Sequence, residues 1–250
     1  MTTALVRKPS PSFINAISKH PRKNFIDAEK AQTQHQLYVD ALNQIGVKVI
    51  FIHIIEKQPD GVFIEDTALI FENEAFLCSM GAKSRREERI SVLPELEKLL
   101  TVEIIQPPII VDGGDVIQTE DTLFIGISGR TNQTAVDFFR SRQKKKVVPV
   151  PISGCLHLKT ATTFIGRNTM IVDPEKVDSS FFSGFNIIRT SPPEAYSSNV
   201  LAIGDSIIMA KGYPNLAKTL TQQGFEVLPT PMSEFKKADG GVTCLSLIIS

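Results

Sequence analysis

The feature that most narrows the fold of this chain is a recurrence. Two short apolar runs joined by a tight turn are followed by an amphipathic helical stretch and then by one more apolar run. The unit returns about five times, roughly every 40 to 60 residues. Periodicity predicts helices over 24–45, 84–100, 130–145, 174–182 and 214–223. Between them lie β-rich runs at Val47–Ile54, Val62–Phe71, Ala75–Ser79, Val102–Ile105, Val116–Gln118 and Thr122–Ile127. Further runs cover Val147–Ile152, Thr160–Ile165, Thr169–Val172, Phe185–Arg189, Val200–Ala210 and Phe225–Pro229. Glu72-Asn73-Glu74, Glu120-Asp121 and Gly166-Arg167-Asn168 supply short turns of the hairpin kind. The expectation is an α/β chain, 1–250 as one domain, whose repeated units close on themselves.

Composition removes several functional classes. Lys plus Arg and Asp plus Glu balance at 27 each, so no broad field favours nucleic acid or an anionic membrane. The run Lys144-Lys145-Lys146 suits the solvated end of a helix, where cations complement the macrodipole. The longest apolar stretch, Val47 to Ile55, is interrupted by Lys48 and His53 and is too short to span a bilayer. The first residues lack the apolar region of a signal peptide. Cys78, Cys155 and Cys244 form no Cys-x-x-Cys pair and read as reduced thiols. A cytoplasmic location is expected.

Four segments offer chemistry. Cys244 follows Asp239-Gly240-Gly241, where two glycines predict a flexible turn feeding a strand. The thiol near that strand's start is either a nucleophile or a small core residue. In Gln58-Pro59-Asp60-Gly61-Val62-Phe63-Ile64-Glu65-Asp66 an apolar triplet runs into two adjacent carboxylates. They suit a bound planar cation, or else mark a solvated strand end. Asp112-Gly113-Gly114-Asp115 places two acids around a glycine pair, which fits a close ligand approach or an ordinary hairpin. Of four histidines, His20 and His35 read as solvated and His53 as a core or edge-strand residue. By strand alternation Cys155, His157 and Lys159 would share one polar face, making His157 the candidate acid/base. No phosphate-binding loop, dinucleotide fingerprint or His-x-x-x-His pair is present.

Taken in order, Phe63-Ile64-Glu65-Asp66, Asp112-Gly113-Gly114-Asp115, Gly129-Arg130-Thr131-Asn132, Leu156-His157-Leu158-Lys159 and Asp239-Gly240-Gly241-Val242-Thr243-Cys244 resemble the dimethylarginine dimethylaminohydrolases. Gly81-Ala82-Lys83-Ser84-Arg85-Arg86 and Gly212-Tyr213-Pro214 extend the likeness along nearly the whole chain. The family belongs to the guanidine-modifying superfamily, and the resemblance implies its fold, a five-bladed α/β propeller (pentein). By position it implies Cys244 as nucleophile, His157 as general acid/base and Asp112 as the carboxylate orienting the imidazole. Asp66, with Glu65 beside it, would hold the substrate guanidinium. Arg85 and Arg130 would bind the α-carboxylate, and Asp60, with groups near Ile17, Ala238 and Asp239, the α-ammonium.

The implied reaction converts asymmetric dimethylarginine or monomethylarginine to citrulline plus dimethylamine or methylamine through a thiouronium. No cofactor is implied, and Zn²⁺ only as an inhibitor. The implied partner is a small methylated arginine, with no nucleic acid and no membrane; a homodimer is a further option. Arginine deiminases generally carry aspartate where this chain has Lys159, and they carry an extra helical module. Two departures from the family pattern stand out: Leu245 where many members have a second cysteine, and Asp112 where some have glutamate. An arginine or agmatine deiminase, an amidinotransferase and a non-catalytic binding propeller are the alternatives.

Overall fold

The computed structural model describes all 250 residues. The first strand, β1 (Thr3–Val6), leads through the long helix α1 (Ala28–Gln44) to β2 (Lys48–Phe51), which lies parallel beside it. A helix is what makes that return possible, because parallel neighbours need a long crossover. Asp27 starts α1 by accepting the Lys30 N–H, and Tyr38, Val39 and Leu42 fall on its buried face.

The same plan is repeated. Hairpin β3 (Ala68–Phe71) and β4 (Glu74–Leu77) is joined by β5 (Thr101–Ile104) after a helical stretch ending in α2 (Leu93–Glu97). Hairpin β6 (Val116–Gln118) and β7 (Thr122–Ile127) takes β8 (Lys146–Pro151) after α3 (Gln133–Arg142). The one-turn helix α4 (Leu158–Ala161) precedes the hairpin β9 (Thr162–Phe164) and β10 (Thr169–Val172), which takes β11 (Asn186–Arg189). Hairpin β12 (Val200–Ile203) and β13 (Ser206–Ala210) takes β14 (Glu226–Thr230) after α5 (Pro214–Gln222).

After the short helix α6 (Ser233–Lys237), the last strand, β15 (Ser246–Ile249), returns to pair antiparallel with β1, setting Leu5 opposite Leu247. The first sheet is therefore made from both ends of the chain. The result is five three-stranded sheets in a closed α/β propeller.

The innermost strands β3, β6, β9, β12 and β15 surround a channel of about 230 Å³, mostly apolar, with Glu65, Lys159 and Thr243 at one end. Each of these strands is entered through a short helical segment: Ile64–Thr67, Gly113–Asp115, α4, Pro192–Ser198 and Thr243–Leu245. The apolar material is divided into five clusters, the largest joining α1 to the C-terminal segment around Phe13, Phe63 and Phe235.

Several expectations require correction. Val62–Phe71 is a strand only from Ala68, because Glu65 and Asp66 sit in the preceding turn. The run 160–165 contributes only Thr162–Phe164. Val200–Ala210 is a hairpin turned at Gly204 (φ 58°), not one strand. The expected helix over 174–182 is a short turn at Ser179–Phe182, and 84–100 divides at Ile90. β1 carries too few residues to announce itself by period. His35 is buried, beside Tyr38 and Phe51, whereas His53 is exposed just past β2.

Because Leu247 is buried on the strand that closes the ring, Leu247→Ala should cost about 2–5 kcal/mol in denaturant unfolding. A loss below roughly 0.5 kcal/mol would mean the closure contributes little.

Candidate active site

The helical turns at the mouths of the inner strands bring the distant acidic and basic groups together. Asp112 and Gly113-Gly114-Asp115 enter β6, and Glu65 and Asp66 enter β3. His157 is the residue before α4 in extended backbone, so the expected strand face of Cys155, His157 and Lys159 does not exist. The imidazole is aimed by a helix start instead, and Cys155 is not among its partners.

Asp112 Oδ2 stands 3.0 Å from His157 Nε2, and Asp66 Oδ1 stands 3.8 Å from its Nδ1. Gly114 explains how three charged groups fit so closely. A Cβ there would lie 2.8 Å from both Asp66 Oδ1 and His157 Nδ1, and its N–H donates to Asp66 Oδ1 at 3.0 Å.

The carboxylates are held in turn. Asp112 accepts from the Gly81 N–H (2.8 Å) and from Arg130 (3.3 Å), and Asp66 from Arg85 Nη1 (2.7 Å). Asp115 is buried and structural: it accepts from Ser128, Thr131 and the Leu158 N–H, tying the Asp112 turn to the His157 turn. Asp66, Asp112 and His157 offer ligand atoms within 4.8 Å of one another. Arg85 and Arg130 place positive charge against these same carboxylates, Arg85 on Asp66 and Arg130 on Asp112.

Cys244 lies in the turn Thr243–Leu245, half-buried, and its sulfur accepts from the Gly241 N–H at 3.3 Å. Beside it Thr243 Oγ1 donates to Glu65 Oε2 (2.7 Å), while Lys159 Nζ pairs with Glu65 Oε1 (2.5 Å). Asn199, at the end of the Pro192–Ser198 segment, is a residue that sequence reasoning missed. It donates to the Lys159 carbonyl (2.8 Å) and Thr243 Oγ1 (3.0 Å), and accepts from the Thr243 N–H (3.0 Å). It thereby fastens the His157-bearing turn to the Cys244-bearing turn. A lone asparagine before an apolar run carries no sequence signal of that role.

The remaining candidates differ in burial and in what they bond. Asp60 is buried and accepts from the exposed Ile17's N–H at 3.1 Å. Ala238 is buried at the end of α6. Asp239 adopts φ 56°, and its carboxylate is engaged with the Lys19 N–H (2.7 Å) and Ser18 Oγ (2.9 Å). Arg85 is buried, with its guanidinium committed to Asp66, Glu88 and the carbonyls of Asp60 and Phe63. Arg130 is the more open of the two arginines, its side chain 13 % exposed.

Electrostatics assign the resting protonation states. Burial disfavours charge on His157, but Asp66 and the Asp112 hydrogen bond outweigh it and raise the imidazole to about 9. Burial works against the Asp66 carboxylate, yet His157 and Arg85 hold it down at about 2. Burial, then Glu65 and Asp66, push the Cys244 thiol far above its usual value. At neutral pH the free site therefore holds an imidazolium and a neutral thiol.

Comparison with known proteins identifies the chain's relatives. Residues 3–246 match the family model for N,N dimethylarginine dimethylhydrolase, eukaryotic. The chain is 35% identical to the N(G),N(G)-dimethylarginine dimethylaminohydrolase of Streptomyces coelicolor, over 98% of this chain and 95% of that one. It is 32% identical to the Pseudomonas aeruginosa enzyme of the same name, over 97% of each. A solved structure of the P. aeruginosa protein, a cysteine-to-serine mutant complexed with citrulline, superposes with a TM-score of 0.95 at 29% identity. That match covers 99% of this chain and 98% of the other. The chain belongs to the dimethylarginine dimethylaminohydrolase family, a group of pentein hydrolases that act on amidine C–N bonds.

Two outcomes follow from the geometry. Gly114→Ala should displace His157 or Asp66 and remove nearly all activity while the protein stays folded by circular dichroism. Asp112→Asn should lower the His157 titration, read by NMR, by about one unit or more. Since the folded value exceeds that of the unfolded chain, the stability it contributes is complete below about 6.5 and lost as pH rises through about 9. That loss should shrink in Asp112→Asn.

Proposed function

We propose that the chain, 1–250 acting as one catalytic domain, hydrolyses N-omega-methylated arginines to citrulline and a methylamine. The observation that carries this reading is a half-buried thiol whose ionisation is opposed by Glu65 and Asp66, with the charged His157 Nδ1 standing 3.8 Å from Asp66 Oδ1. In this reading the flat substrate cation lies against these carboxylates with its carbon over the sulfur. The citrulline complex of the Pseudomonas aeruginosa relative supports the same product.

In this mechanism the bound guanidinium offsets the two carboxylates that raise the Cys244 thiol, so substrate itself promotes loss of the thiol proton to solvent. The thiolate attacks the guanidinium carbon to form a C–S bond. His157, already an imidazolium held by Asp112, gives its proton to the departing amine as the C–N bond breaks. The neutral imidazole then takes a proton from water attacking the thiouronium. Citrulline leaves, and the sulfur departs as thiolate. Arg130, backed by Arg85, faces the α-carboxylate, and Asp60, with the backbone around Ile17 and Ala238, the α-ammonium.

Lys159 bears on substrate choice. It neutralises Glu65, so that Asp66, which also accepts from Arg85 and the Gly114 N–H, is the carboxylate assigned to the guanidinium. A methylated nitrogen has fewer donors to satisfy, so it suits a site with one acceptor fork. The competing reading is arginine deimination, which calls for more acceptors.

Citrulline release from asymmetric dimethylarginine, compared with ammonia release from arginine, tests the reading. A higher kcat/KM for arginine would overturn it. Cys244→Ser should lose about three orders of magnitude or more in kcat. Lys159→Met, which frees Glu65, should narrow the preference for dimethylarginine by about fivefold or more. An unchanged ratio would remove Lys159 from substrate selection.

A further inference from the structure

Tyr196 lies in the turn Pro192–Ser198, on a segment to which the catalytic reading gives no role. Its hydroxyl donates to the Gly240 carbonyl at 2.7 Å. The other end of that same peptide unit is the Gly241 N–H, which donates to Cys244 Sγ at 3.3 Å and is the one hydrogen bond the sulfur receives. In a trans peptide the C=O and N–H point in opposite directions, so a donor fixed on one side aims the donor on the other. A carbonyl that accepts a hydrogen bond also polarises its own N–H, strengthening the second bond in the chain.

We propose that Tyr196 is a positioning residue that sets the reactivity of the Cys244 thiol through the Gly240–Gly241 peptide. The proposal rests on the reading of Cys244 as the nucleophile.

The surroundings are built for this relay. Both glycines are wedged: a Cβ on Gly240 would overlap the Phe63 ring, and one on Gly241 would overlap Asn199 Oδ1. The peptide is therefore flanked closely on both sides, and its rotation is restricted. Lys236 Nζ lies 4.8 Å above the Tyr196 ring and bonds Tyr213 Oη at 3.0 Å, so a cation faces the phenol ring from outside. Burial, and then the nearby Cys244, keep the Tyr196 phenol well above its usual range, so it remains a donor throughout the working pH range.

Other groups also act on the sulfur. Glu65 and Asp66 from the turn before β3 oppose the thiolate, and Lys159 from α4 favours it. Tyr38 from α1 is close enough for its phenol to be raised by the sulfur, and His157 Nδ1 stands 3.8 Å from Asp66 Oδ1. Against two opposing carboxylates, the Gly241 N–H is the only hydrogen-bond donor the protein aims at the sulfur.

The test is the pH profile of Cys244 alkylation by iodoacetamide in the full-length protein, read by mass spectrometry of the Cys244 peptide. Tyr196→Phe removes only the hydroxyl. It should raise the midpoint of alkylation by roughly half to one pH unit. It should lower kcat for dimethylarginine by about three- to tenfold, with KM changed by less than about twofold. Tyr213→Phe, which loses the Lys236 contact but does not touch Gly240, should leave the midpoint where it is.

An unchanged midpoint in Tyr196→Phe overturns the proposal, and so does an equal shift in Tyr213→Phe, which would trace the effect to general packing. Failure of Tyr196→Phe to fold would also overturn it, by making the hydroxyl a structural tie. Retention of turnover by Cys244→Ser would instead defeat the nucleophile assignment, because the alkylation profile reads the thiol whether or not it is catalytic.

Discussion

The pairing of β15 with β1 is the interaction on which the site depends. Cys244 lies in the turn that leads into β15, so its sulfur is placed only when the last strand docks antiparallel against the first. Leu5 opposite Leu247 supplies apolar burial for that docking, and the buried Tyr38–Ser246 hydrogen bond (2.6 Å) ties α1 to the same strand. Closure joins residues more than two hundred positions apart, at a cost in chain entropy that grows only slowly with loop length. A broad apolar interface readily offsets it. Nucleophile placement and ring closure are thus one event.

A second constraint comes from gathering like charges. Asp60, Glu65, Asp66, Glu88, Asp112 and Asp115 are all buried, and so many carboxylates can share a site only among fixed cations and donors. The chain meets this with layered pairing. Arg85 spans Asp66 and Glu88, Arg130 and His157 share Asp112, and Lys159 takes Glu65. Buried Arg7 adds a further layer, donating to the carbonyls of His53, Gly61 and Glu88 and so fixing the loop that carries Asp60. The consequence is a site whose acidity is polarised in advance. The imidazole is held charged and the thiol held neutral, which leaves the substrate cation to complete the balance.

Much of this was legible in the chain. The strands Val116–Gln118, Thr122–Ile127 and Thr169–Val172 are where their apolar runs and flanking turns put them, and Thr122–Ile127 and Thr169–Val172 are covered middle strands with an unbroken pattern. The helices α1, α3 and α5 follow their apolar stripes. The failures have a common cause. Glu65 and Asp66 sit in a single helical turn of four residues and His157 just before another, both at strand mouths and too short for either period to show. Extending the neighbouring strand over them produced the mistaken strand face for His157. His35 read as solvated because its helix neighbours are polar, yet Tyr38 and Phe51 cover it.

By itself the sequence determined the number of repeated units, the alternation that requires an α/β ring, and the residue types gathered in ordered motifs from Phe63 to Cys244. Those are properties of local pattern: hydrophobic period, turn chemistry and motif order need no knowledge of distant neighbours. Only the tertiary structure decided which groups meet. It paired Lys159 with Glu65, committed Asp239 to the Ser18–Lys19 strap, and set Asn199 and Tyr196 behind the nucleophile. Those contacts cross from one blade to the next, where the deciding quantities are distances of about 3 Å and the field of several buried charges, and neither quantity is carried by any one stretch of the chain.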